Sequence, residues 1–565
     1  MNRLVAALGE DEERARCVTH VAVTAATAGR HAPWPAWLPE WLTSGYGSLG
    51  VAQPWAHQVR FMERARDSHA VIATSTGSGK SLALWAPVLS ALDEPYELGR
   101  IDQVRARPAA IYLAPTKALA ADQFTALRAL FTAADVEGIE VGVCDGDTPT
   151  EARRWLRSNV DVLLTNPDYL HFALLPGHTG WAGLLRGLRY VLIDELHAYR
   201  GVMGAHVAWV IRRLRRLARH YGADPIFLAA SATVSEPAET LARLIGEAPE
   251  AVTAVAEDTS ARGDQTFVMW RPAPFDADEA DTLVTTGKGG ASGKGRRGIG
   301  GPRRSAAAET ARLLAALTDV GARSVAFVRS RFAAETVAES ARAVVGEPLA
   351  ARIATYRGGY LAEERRGLED RLRDGSLLGV VATSALELGI DVSGLDAVLI
   401  AGWPGTRVAL KQRAGRAGRA GADGLAVWVA GTDPLDSYLV EHPDSVLGPP
   451  LEACVFDPSN VYVSAPHLAA ATAELPLHVD ELAALDAGAA AVLDSLAATG
   501  AVRRRGDRWF WLARERATDL TDLRGSGGGQ IQVVEQATGQ VLGTVDSARA
   551  PATVHPGAVY LHQGS

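Results

Sequence analysis

The chain has 565 residues, 47% of them hydrophobic and 22% charged, and its formal net charge at pH 7 is −8. This length predicts roughly three or four domains, and the negative balance excludes a basic field over the whole surface, so any nucleic-acid site must be a local patch. Three widely spaced cysteines favour neither a disulfide framework nor a zinc cluster, and no apolar run of about 20 residues predicts a membrane span. We therefore expect a cytoplasmic protein without membrane contacts.

Residues 1–50 are predicted to form an accessory helical segment, and residues 51–255 alternate short apolar strands with helical stretches. Such alternation predicts an α/β fold with a mostly parallel sheet covered by helices on both faces. The predicted strands are Val71–Thr74, Ala110–Ala114, Val141–Cys144, Val162–Thr165, Tyr190–Ile193 and Ile226–Ala229.

A glycine-rich loop at Thr74–Ser81 follows the first of these strands and opens a helical pattern. The order strand, loop, lysine, hydroxyl and helix suits a nucleotide phosphate chain, because loop N–H groups and a helix N-terminus favour anions. Lys80 would reach the outer phosphates, and Ser81 would place a hydroxyl on Mg²⁺. The alternative for this motif alone is a glycine turn before an ordinary helix. The other loop residues predicted to bind nucleotide are Thr76, Gly77, Ser78 and Gly79.

Two further polar features belong to the same block. Gln58, upstream of the loop, carries an amide that is able to pair with an adenine edge. Asp194 and Glu195 follow the apolar run Val191–Ile193, and the carboxyl end of a parallel strand faces the ligand crevice. Asp194 would hold Mg²⁺, and Glu195 would orient and activate the attacking water. A pair of solvated acids at a strand end is the alternative.

A second alternating block spans residues 305–450, after a linker at 256–304 that contains a basic, glycine-rich loop. That loop, at 287–305, is either a linker made soluble by charge or a nucleic-acid contact, and the sequence leaves both open. The second block predicts another parallel sheet. Its strands are Ser324–Val328, Ile353–Thr355, Gly379–Ala382, Ala397–Ala401 and Leu425–Val429.

Two arginines near the end of the second block are predicted to share a helix face. Arg416 and Arg419 are three residues apart within Gln412–Arg419, so their guanidinium groups are able to clamp a γ-phosphate across a cleft. The alternative is a basic helix in solvent. The intervening glycines argue against it, because they weaken a helix and let another backbone approach closely.

Residues beyond 450 follow a different pattern. Residues 451–520 predict a winged-helix-like module, since an alanine-rich helix at Leu482–Leu496 precedes a hairpin whose first arm contains Arg503–Arg505. Trp509 and Trp511 in the second arm are expected to pack in a core. Residues 521–565 are predicted to be a β-rich segment with strands at Ile531–Val534, Val541–Val545 and Ala558–Leu561.

The ordered set of motifs resembles that of superfamily 2 helicases. The resemblance rests on Gln58, Thr74–Ser81, Ala114–Lys117, Thr165–Asp168, Asp194–His197, Ser231–Thr233, Phe327–Ser330, Ala382–Asp391 and Gln412–Arg419. It implies two tandem RecA-like lobes at 51–255 and 305–450 with ATP between them. It further implies nucleotide contacts by Gly389 and Asp391, and catalytic roles for Lys80, Asp194, Glu195, Gln412, Arg416 and Arg419.

The same resemblance implies that a nucleic-acid strand crosses both lobes. Its phosphodiester backbone would be held without base reading. Tyr199, Arg200 and Arg503–Arg505 are further candidates for strand contact or duplex separation. The residues expected to hold the backbone are Thr116, Lys117, Thr165, Arg329 and Thr383.

A narrower resemblance is to the MrfA-type repair helicases, a group that includes SftH-type and Hrq-type enzymes. It rests on Asp194–Gly201, Tyr356–Tyr360 and Val554–Gly564. It implies an ATP-dependent DNA helicase that moves 3′ to 5′ on single-stranded and tailed duplex DNA and acts in DNA repair. We expect a monomer that associates with the nucleoid when active.

Members of this group usually end in a cysteine-rich zinc-binding domain. The chain shows no such cysteine cluster and stops where that domain would begin. We therefore expect no zinc site and a shortened β-rich end. Two alternatives to a DNA helicase remain, namely an RNA helicase and a nucleic-acid-stimulated ATP switch without strand separation.

Overall fold

The computed structural model describes residues 12–93, 107–274, 303–357, 362–383, 395–418, 421–448, 451–524, 530–536 and 541–546, with single residues at 4, 8, 360, 386, 539 and 554. Its strands are β1 (Val18–Thr24), β2 (His69–Ala73), β3 (Ala109–Leu113), β4 (Val141–Val143), β5 (Val162–Thr165), β6 (Leu188–Ile193), β7 (Ile226–Ser231), β8 (Val252–Val255), β9 (Gln265–Trp270), β10 (Ser324–Phe327), β11 (Ile353–Tyr356), β12 (Gly379–Ala382), β13 (Ala397–Ala401), β14 (Gly424–Val429), β15 (Leu477–His478), β16 (Val502–Arg505), β17 (Arg508–Trp511), β18 (Gln530–Val534) and β19 (Val541–Asp546).

Helices cover the sheets and connect their strands. The α-helices are α1 (Glu12–Ala15), α2 (Glu40–Ser48), α3 (Ala56–Ala65), α4 (Lys80–Leu92), α5 (Lys117–Ala134), α6 (Thr150–Asn159), α7 (Pro167–Tyr169), α8 (Ala182–Gly187), α9 (Gly201–His220), α10 (Pro237–Ile245), α11 (Ala306–Asp319), α12 (Arg331–Val345), α13 (Ala362–Arg373), α14 (Arg407–Ala414), α15 (Pro434–Glu441), α16 (Pro443–Leu447), α17 (Val461–Glu474), α18 (Leu482–Leu485) and α19 (Ala489–Ala498). Short 3₁₀ or π turns lie at Leu170–Leu174, His178–Trp181, Leu196–Ala198, Pro249–Ala251, Leu349–Arg352, Val479–Glu481 and Ala517–Leu520.

The first sheet is parallel throughout and runs in the order β4-β5-β3-β6-β7-β2-β8. Its strands are apolar along most of their length, as a sheet covered on both faces requires. Successive residues alternate between two cores, so that Val71 and Ile111 pack on one face and Ile72 and Tyr112 on the other. The predicted parallel α/β lobe is confirmed, and its strands end together along one edge.

The second sheet runs in the order β1-β9-β14-β13-β10-β12-β11. Its strands pair in parallel except for β1, which pairs antiparallel with β9. The second parallel lobe is thereby confirmed, but two expectations are corrected. Residues 1–50 are not only helical, because they supply the edge strand β1. Residues 256–304 are not only a linker, because β9 forms an inner strand of this sheet.

The module at 451–520 contains the expected helix followed by a hairpin, with β16 and β17 paired antiparallel and β15 added beside β17. The predicted single helix at Leu482–Leu496 is in fact two helices, α18 and α19, separated at Asp486. Trp509 is 1% exposed. It belongs to the same hydrophobic core as Trp209 and Leu214 of α9, so the module and the first lobe share one core.

Two features of the remaining segments complete the fold. The hairpin β18–β19 confirms two strands of the predicted β-rich end, whereas the third, Ala558–Leu561, lies outside the described residues. Arg304 was expected in the basic loop but is 7% exposed, with Nη1 4.0 Å from the Glu309 carboxylate. Among the residues that the structure describes, no helix has the length and apolar character needed to cross a membrane.

Candidate nucleotide site and nucleic-acid interface

The glycine-rich loop connects β2 to the first turn of α4, which begins at Lys80. Gly77 and Gly79 have φ values of 82° and 76°, in the left-handed region that glycine adopts without strain. A Cβ on Gly79 would stand 2.4 Å from Gln58 Nε2, so this glycine also permits the close approach of that side chain. The loop thereby delivers Lys80 and Ser81 to a helix N-terminus, the arrangement that binds phosphate groups.

Gln58 supports this loop from the side. Its Nε2 donates to Gly79 O at 2.8 Å and to Ser78 O at 3.3 Å, and its Oε1 accepts from Trp55 N at 2.7 Å. The side chain is 2% exposed. Both ends of the amide contact the chain itself, so Gln58 positions the phosphate loop, and its pairing with an adenine edge stays a prediction.

Asp258 anchors the same loop and lies in the predicted linker at residues 256–304. Its Oδ2 accepts from Ser75 N at 3.1 Å and also from the Ser75 hydroxyl. Burial raises the pKa of the Asp258 carboxyl, but hydrogen bonds from Ser260 and Ser75 outweigh this effect and lower the pKa to about 2. An ionised carboxylate therefore anchors the loop, and no local sequence motif marks it.

Asp194 lies at the end of β6 and is 8% exposed. Its Oδ2 accepts from Tyr112 Oη, and its Oδ1 accepts from Glu195 N at 2.8 Å. Burial and the neighbouring Glu195 charge raise the pKa of Asp194, whereas hydrogen bonds from Tyr112 and the Glu195 backbone and the charge of Lys80 oppose that rise. Glu195 has a φ of 49°, a left-handed conformation that costs a non-glycine residue strain and is typical of functional sites.

These residues fit a nucleotide with Mg²⁺. Lys80 Nζ donates to the loop carbonyls Thr74 O at 3.1 Å and Ser75 O at 2.8 Å, which hold the ammonium group within the loop. The Ser81 hydroxyl and the Asp194 carboxylate supply the hard oxygen atoms that Mg²⁺ prefers. A cation beside buried Asp194 would relieve the penalty that raises its pKa. Over the described ranges, no three side chains of the metal-ligating types cluster to hold a metal alone.

His197 joins the two lobes at this site. Its Nδ1 accepts from Ala232 N at 3.2 Å, and its Nε2 contacts the side-chain amide of Gln412. Glu195 Oε2 lies 3.4 Å from the same imidazole. The second lobe therefore contacts the acidic motif of the first through one buried histidine.

The helix that carries Gln412 also brings its glycine to the phosphate loop. A Cβ on Gly415 would lie 4.0 Å from Thr76 Cβ, so the backbones of the two motifs approach closely. Arg416 is 6% exposed, which excludes the alternative of a basic face in solvent at this position, but α14 ends at Ala414, so the predicted helix does not extend to Arg416. Three predicted site residues lie outside the described residues, namely Gly389, Asp391 and Arg419.

The first lobe presents its predicted strand contacts unequally. Thr116 caps α5, where its Oγ1 accepts from Leu119 N at 3.3 Å. The Lys117 side chain is 49% exposed and pairs with Asp147. Thr165 is 1% exposed and its hydroxyl donates to Cys144 O at 2.6 Å, so the expected side-chain contact of Thr165 with a strand is corrected.

The second lobe contributes Arg329 and Thr383. The Arg329 side chain is 58% exposed, donates from Nη2 to Trp403 O at 3.0 Å, and lies 3.6 Å from the Asp436 carboxylate. Thr383 is half-buried, and its backbone N donates to Tyr356 O at 3.3 Å. Both residues follow the ends of neighbouring strands, β10 and β12, on the lobe edge.

The further strand-contact candidates also separate into two kinds. Tyr199 is 0% exposed, so its expected contact with a strand is wrong because the ring is enclosed. Arg200, just before α9, and the three arginines at Arg503–Arg505 are exposed. The Arg504 guanidinium packs 4.7 Å from the Trp509 ring centre, which fixes the basic arm on the module.

Two family models match the chain, that of the DEAD/DEAH box helicases over residues 55–241 and that of the helicase conserved C-terminal domain over residues 308–421. The uncharacterised ATP-dependent helicase YprA of Bacillus subtilis is 34% identical over 540 residues, which are 94% of this chain and 67% of YprA. The ATP-dependent helicase hrq1 of Schizosaccharomyces pombe is 32% identical over 447 residues, which are 78% of this chain and 39% of that protein. The chain thus spans about two thirds of the bacterial relative and less than half of the yeast relative.

Crystal structures of the DUF1998 helicase MrfA are similar over the whole chain. The structure bound to DNA gives a TM-score of 0.87 at 31% identity and covers 100% of this chain and 71% of MrfA. The structure bound to DNA and AMPPNP gives a TM-score of 0.87 at 32% identity, and the match covers 100% of this chain and 74% of the MrfA chain. An MrfA structure described without DNA gives 0.66. The chain is therefore more similar in structure to the two MrfA structures described as bound to DNA than to the third.

Proposed function

The chain belongs to the superfamily 2 helicases of the MrfA and Hrq type, and we propose that it is an ATP-dependent DNA helicase that translocates along single strands. The observation that carries this proposal is the meeting of the two lobes at the phosphate loop. His197 contacts Gln412, and Gly415 approaches Thr76. A nucleotide held by the loop would therefore touch both lobes, and its hydrolysis would change how they pack.

The first lobe supplies the groups that bind the phosphates and Mg²⁺ and that activate the attacking water. Lys80 and the N-terminus of α4 bind the outer phosphates, and Ser81 with Asp194 would hold Mg²⁺, which neutralises phosphate charge when bound. Glu195 orients the attacking water and accepts its proton. Because Glu195 also lies beside His197, the position of this carboxylate depends on the contact with Gln412.

The second lobe supplies the groups that complete the site. Arg416 is buried, and its neighbour Gly415 lies beside Thr76 of the phosphate loop; from this position its guanidinium would stabilise the charge that develops on the γ-phosphate. We include Arg419 in this role from its motif. Closure of the lobes then excludes water and assembles the full set, whereas release of phosphate weakens the contact.

Strand binding couples this cycle to movement. Thr116 and Lys117 on the first lobe and Arg329 and Thr383 on the second lie after strand ends, so one nucleic-acid backbone would contact both lobes. Opening and closing would change the distance between these contacts and shift one lobe along the strand. We assign the direction 3′ to 5′, a monomeric state and a role in DNA repair from the family, with association with the nucleoid as a consequence.

The experiment that tests the proposal measures ATP hydrolysis with and without single-stranded DNA, together with strand displacement on 3′-tailed and 5′-tailed duplexes. We expect stimulation by DNA, displacement of 3′-tailed duplexes with ATP, and none with a non-hydrolysable analogue. Lys80→Ala and Glu195→Gln should each abolish stimulated turnover. Lys411→Ala, an exposed lysine on α14 outside the site, is the matched control and should retain turnover.

Three outcomes would contradict the proposal. Stimulation by matched RNA but not by DNA would make the chain an RNA helicase. ATP-dependent retention on DNA without displacement of any tailed duplex would make it an ATP switch. Undiminished turnover in Lys80→Ala or Glu195→Gln would show that the mechanism is wrong.

A further inference from the structure

Arg524, which follows the module, connects two segments of the first lobe that lie more than 350 residues earlier in the chain. Its Nη2 donates to Asp168 Oδ2 at 2.9 Å and its Nε to the same oxygen at 3.2 Å. The same Nη2 also donates to Pro115 O at 3.4 Å. The preceding residue, Leu523, is 1% exposed and belongs to the core of the first lobe and the module, so the arginine is held in place by a buried neighbour.

One of the two segments that Arg524 joins carries the proposed strand contacts Thr116 and Lys117, and the other follows the neighbouring strand of the sheet. Pro115 precedes Thr116 and Lys117 after β3, and Asp168 lies in α7 after β5. The two strands are neighbours in the sheet, and their pairing ends at Leu113 and Thr165, so the strand ladder does not join the segments that follow. Arg524 spans the gap by binding a backbone carbonyl of one segment and a carboxylate of the other.

The chemistry of this contact suits positioning better than stabilisation of the whole fold. The side chains of Arg524 and Asp168 are 47% and 30% exposed, and ion pairs this open to solvent contribute little to global stability. A guanidinium is nevertheless planar and offers several donors in a fixed fork, so one arginine is able to fix two acceptors relative to each other.

We propose that Arg524 is a positioning residue of the strand site, which fixes the segment at Pro115–Lys117 against the segment at Thr165–Asp168 in the geometry in which Thr116 and Lys117 bind a single-stranded polynucleotide backbone. The inference rests on the proposed function. Asp168 neutralises the charge of Arg524, so the arginine acts through the geometry of the two segments and not as a phosphate ligand. Its loss leaves each segment free to adopt other conformations, which binding must then order at a cost.

The test compares Arg524→Met, Arg524→Lys and Asp168→Asn with the unaltered protein and with Arg514→Met, an exposed arginine of the same segment. A fluorescent oligo-dT strand gives the Kd at several salt concentrations, and ATPase titrations with the same strand give half-saturation and the maximal rate. We expect Arg524→Met to raise the Kd and the half-saturating concentration by about 3- to 10-fold. The basal rate, the maximal rate and the thermal midpoint should stay unchanged.

Two signatures separate positioning from direct phosphate contact. A positioning arginine leaves the slope of log Kd against log salt unchanged, and lysine does not replace it because lysine lacks the fork. Asp168→Asn should give a similar loss, and the double variant Asp168→Asn/Arg524→Met no further one. Rescue by Arg524→Lys together with a slope reduced by about 0.7 in Arg524→Met would overturn the inference in favour of a phosphate contact.

Other outcomes also overturn it. Equal strand affinity in Arg524→Met and the unaltered protein would show that the contact positions nothing. A lower thermal midpoint with a reduced basal rate would show a structural role. If the unaltered protein binds no oligo-dT strand, the proposed function itself is wrong. That outcome is seen without any variant, so it is distinct from a failure of the positioning inference alone.

Discussion

Replacement of Glu474 by glutamine tests a buried ion pair between the first lobe and the module. Arg213 on α9 is 0% exposed, and its Nε donates to the two carboxylate oxygens of Glu474 at 3.1 and 3.2 Å, with a further bond from Nη2. Its Nη1 donates to His171 Nδ1 at 2.8 Å and to His467 Nδ1 at 3.0 Å. Every nitrogen of the guanidinium therefore faces an acceptor inside the protein.

The expected cost follows from what each substitution leaves behind. Glu474→Gln leaves the guanidinium buried without its counter-charge, which costs about 3–5 kcal/mol of unfolding free energy. Arg213→Met leaves the carboxylate buried alone and should cost a similar amount. The double variant Arg213→Met/Glu474→Met should cost about as much as either single change and less than their sum, because removal of the second charge relieves the first.

Urea unfolding followed by tryptophan fluorescence measures these differences in the free energy of unfolding. Trp209 stacks on His467, with ring centres 6.1 Å apart, and reports on the same contact. Arg219→Met is the control on the same helix, since Arg219 pairs with Asp224 in solvent and should contribute less than about 1 kcal/mol. A Glu474→Gln variant within about 1 kcal/mol of the unaltered protein, or strict additivity in the double variant, would refute the reasoning.

Three further predictions concern the same cluster, the phosphate loop and the buried tyrosine. Burial and the Arg213 charge lower the pKa of His171 from 6.5 to about 3, so the unfolded chain binds a proton that the folded protein excludes, and stability falls as the pH drops below 6.5. Between pH 7 and pH 5, urea unfolding should show that this residue lowers the unfolding free energy by about 2 kcal/mol. His171→Asn should remove this part of the pH dependence, and an unfolding free energy that does not change with pH would contradict the prediction. Gly79→Ala forces a side chain onto a φ of 76° and against Gln58, so we expect a loss of at least about tenfold in kcat/KM for ATP, and unchanged kinetics would contradict the assigned loop geometry. The Tyr199 hydroxyl is buried without a hydrogen-bond partner in the described structure, so Tyr199→Phe should raise the unfolding free energy by about 1 kcal/mol, and a loss of stability would reveal a missed partner.

The two parallel sheets were predictable because their strands carry a local signal. Runs such as Val162–Thr165 and Ala397–Ala401 are buried on both faces, and such strands are nearly continuous in apolar residues. The edge strand β1 lacks that signal, because most of its residues are half-buried or exposed. Its partner β9 lies about 250 residues away, and nothing local in either segment specifies the pairing.

The candidate site divides in the same way. Lys80, Asp194 and Gln412 stand in motifs whose residue types and spacing reflect phosphate chemistry, so the sequence indicates them directly. Asp258 and Arg524 stand in no motif, and their roles arise only from contacts that span 183 and 356 residues. The error at Thr165 has a related cause, since a hydroxyl expected on the strand path is used inside the lobe by a neighbouring carbonyl.

The shared core determines which parts of the protein should move together. Leu214 on α9 lies in the same hydrophobic core as Phe456 and Leu468 of the module. The second sheet has two other cores, one on each face. Separating the module from the first lobe would expose apolar surface to water, which costs about 25 cal/mol of free energy for each Å² exposed. The contact of His197 with Gln412 is instead polar, and water is able to replace its hydrogen bond at a small net cost. Nucleotide-driven closure is therefore expected to move the second lobe against a first lobe and module that remain one body.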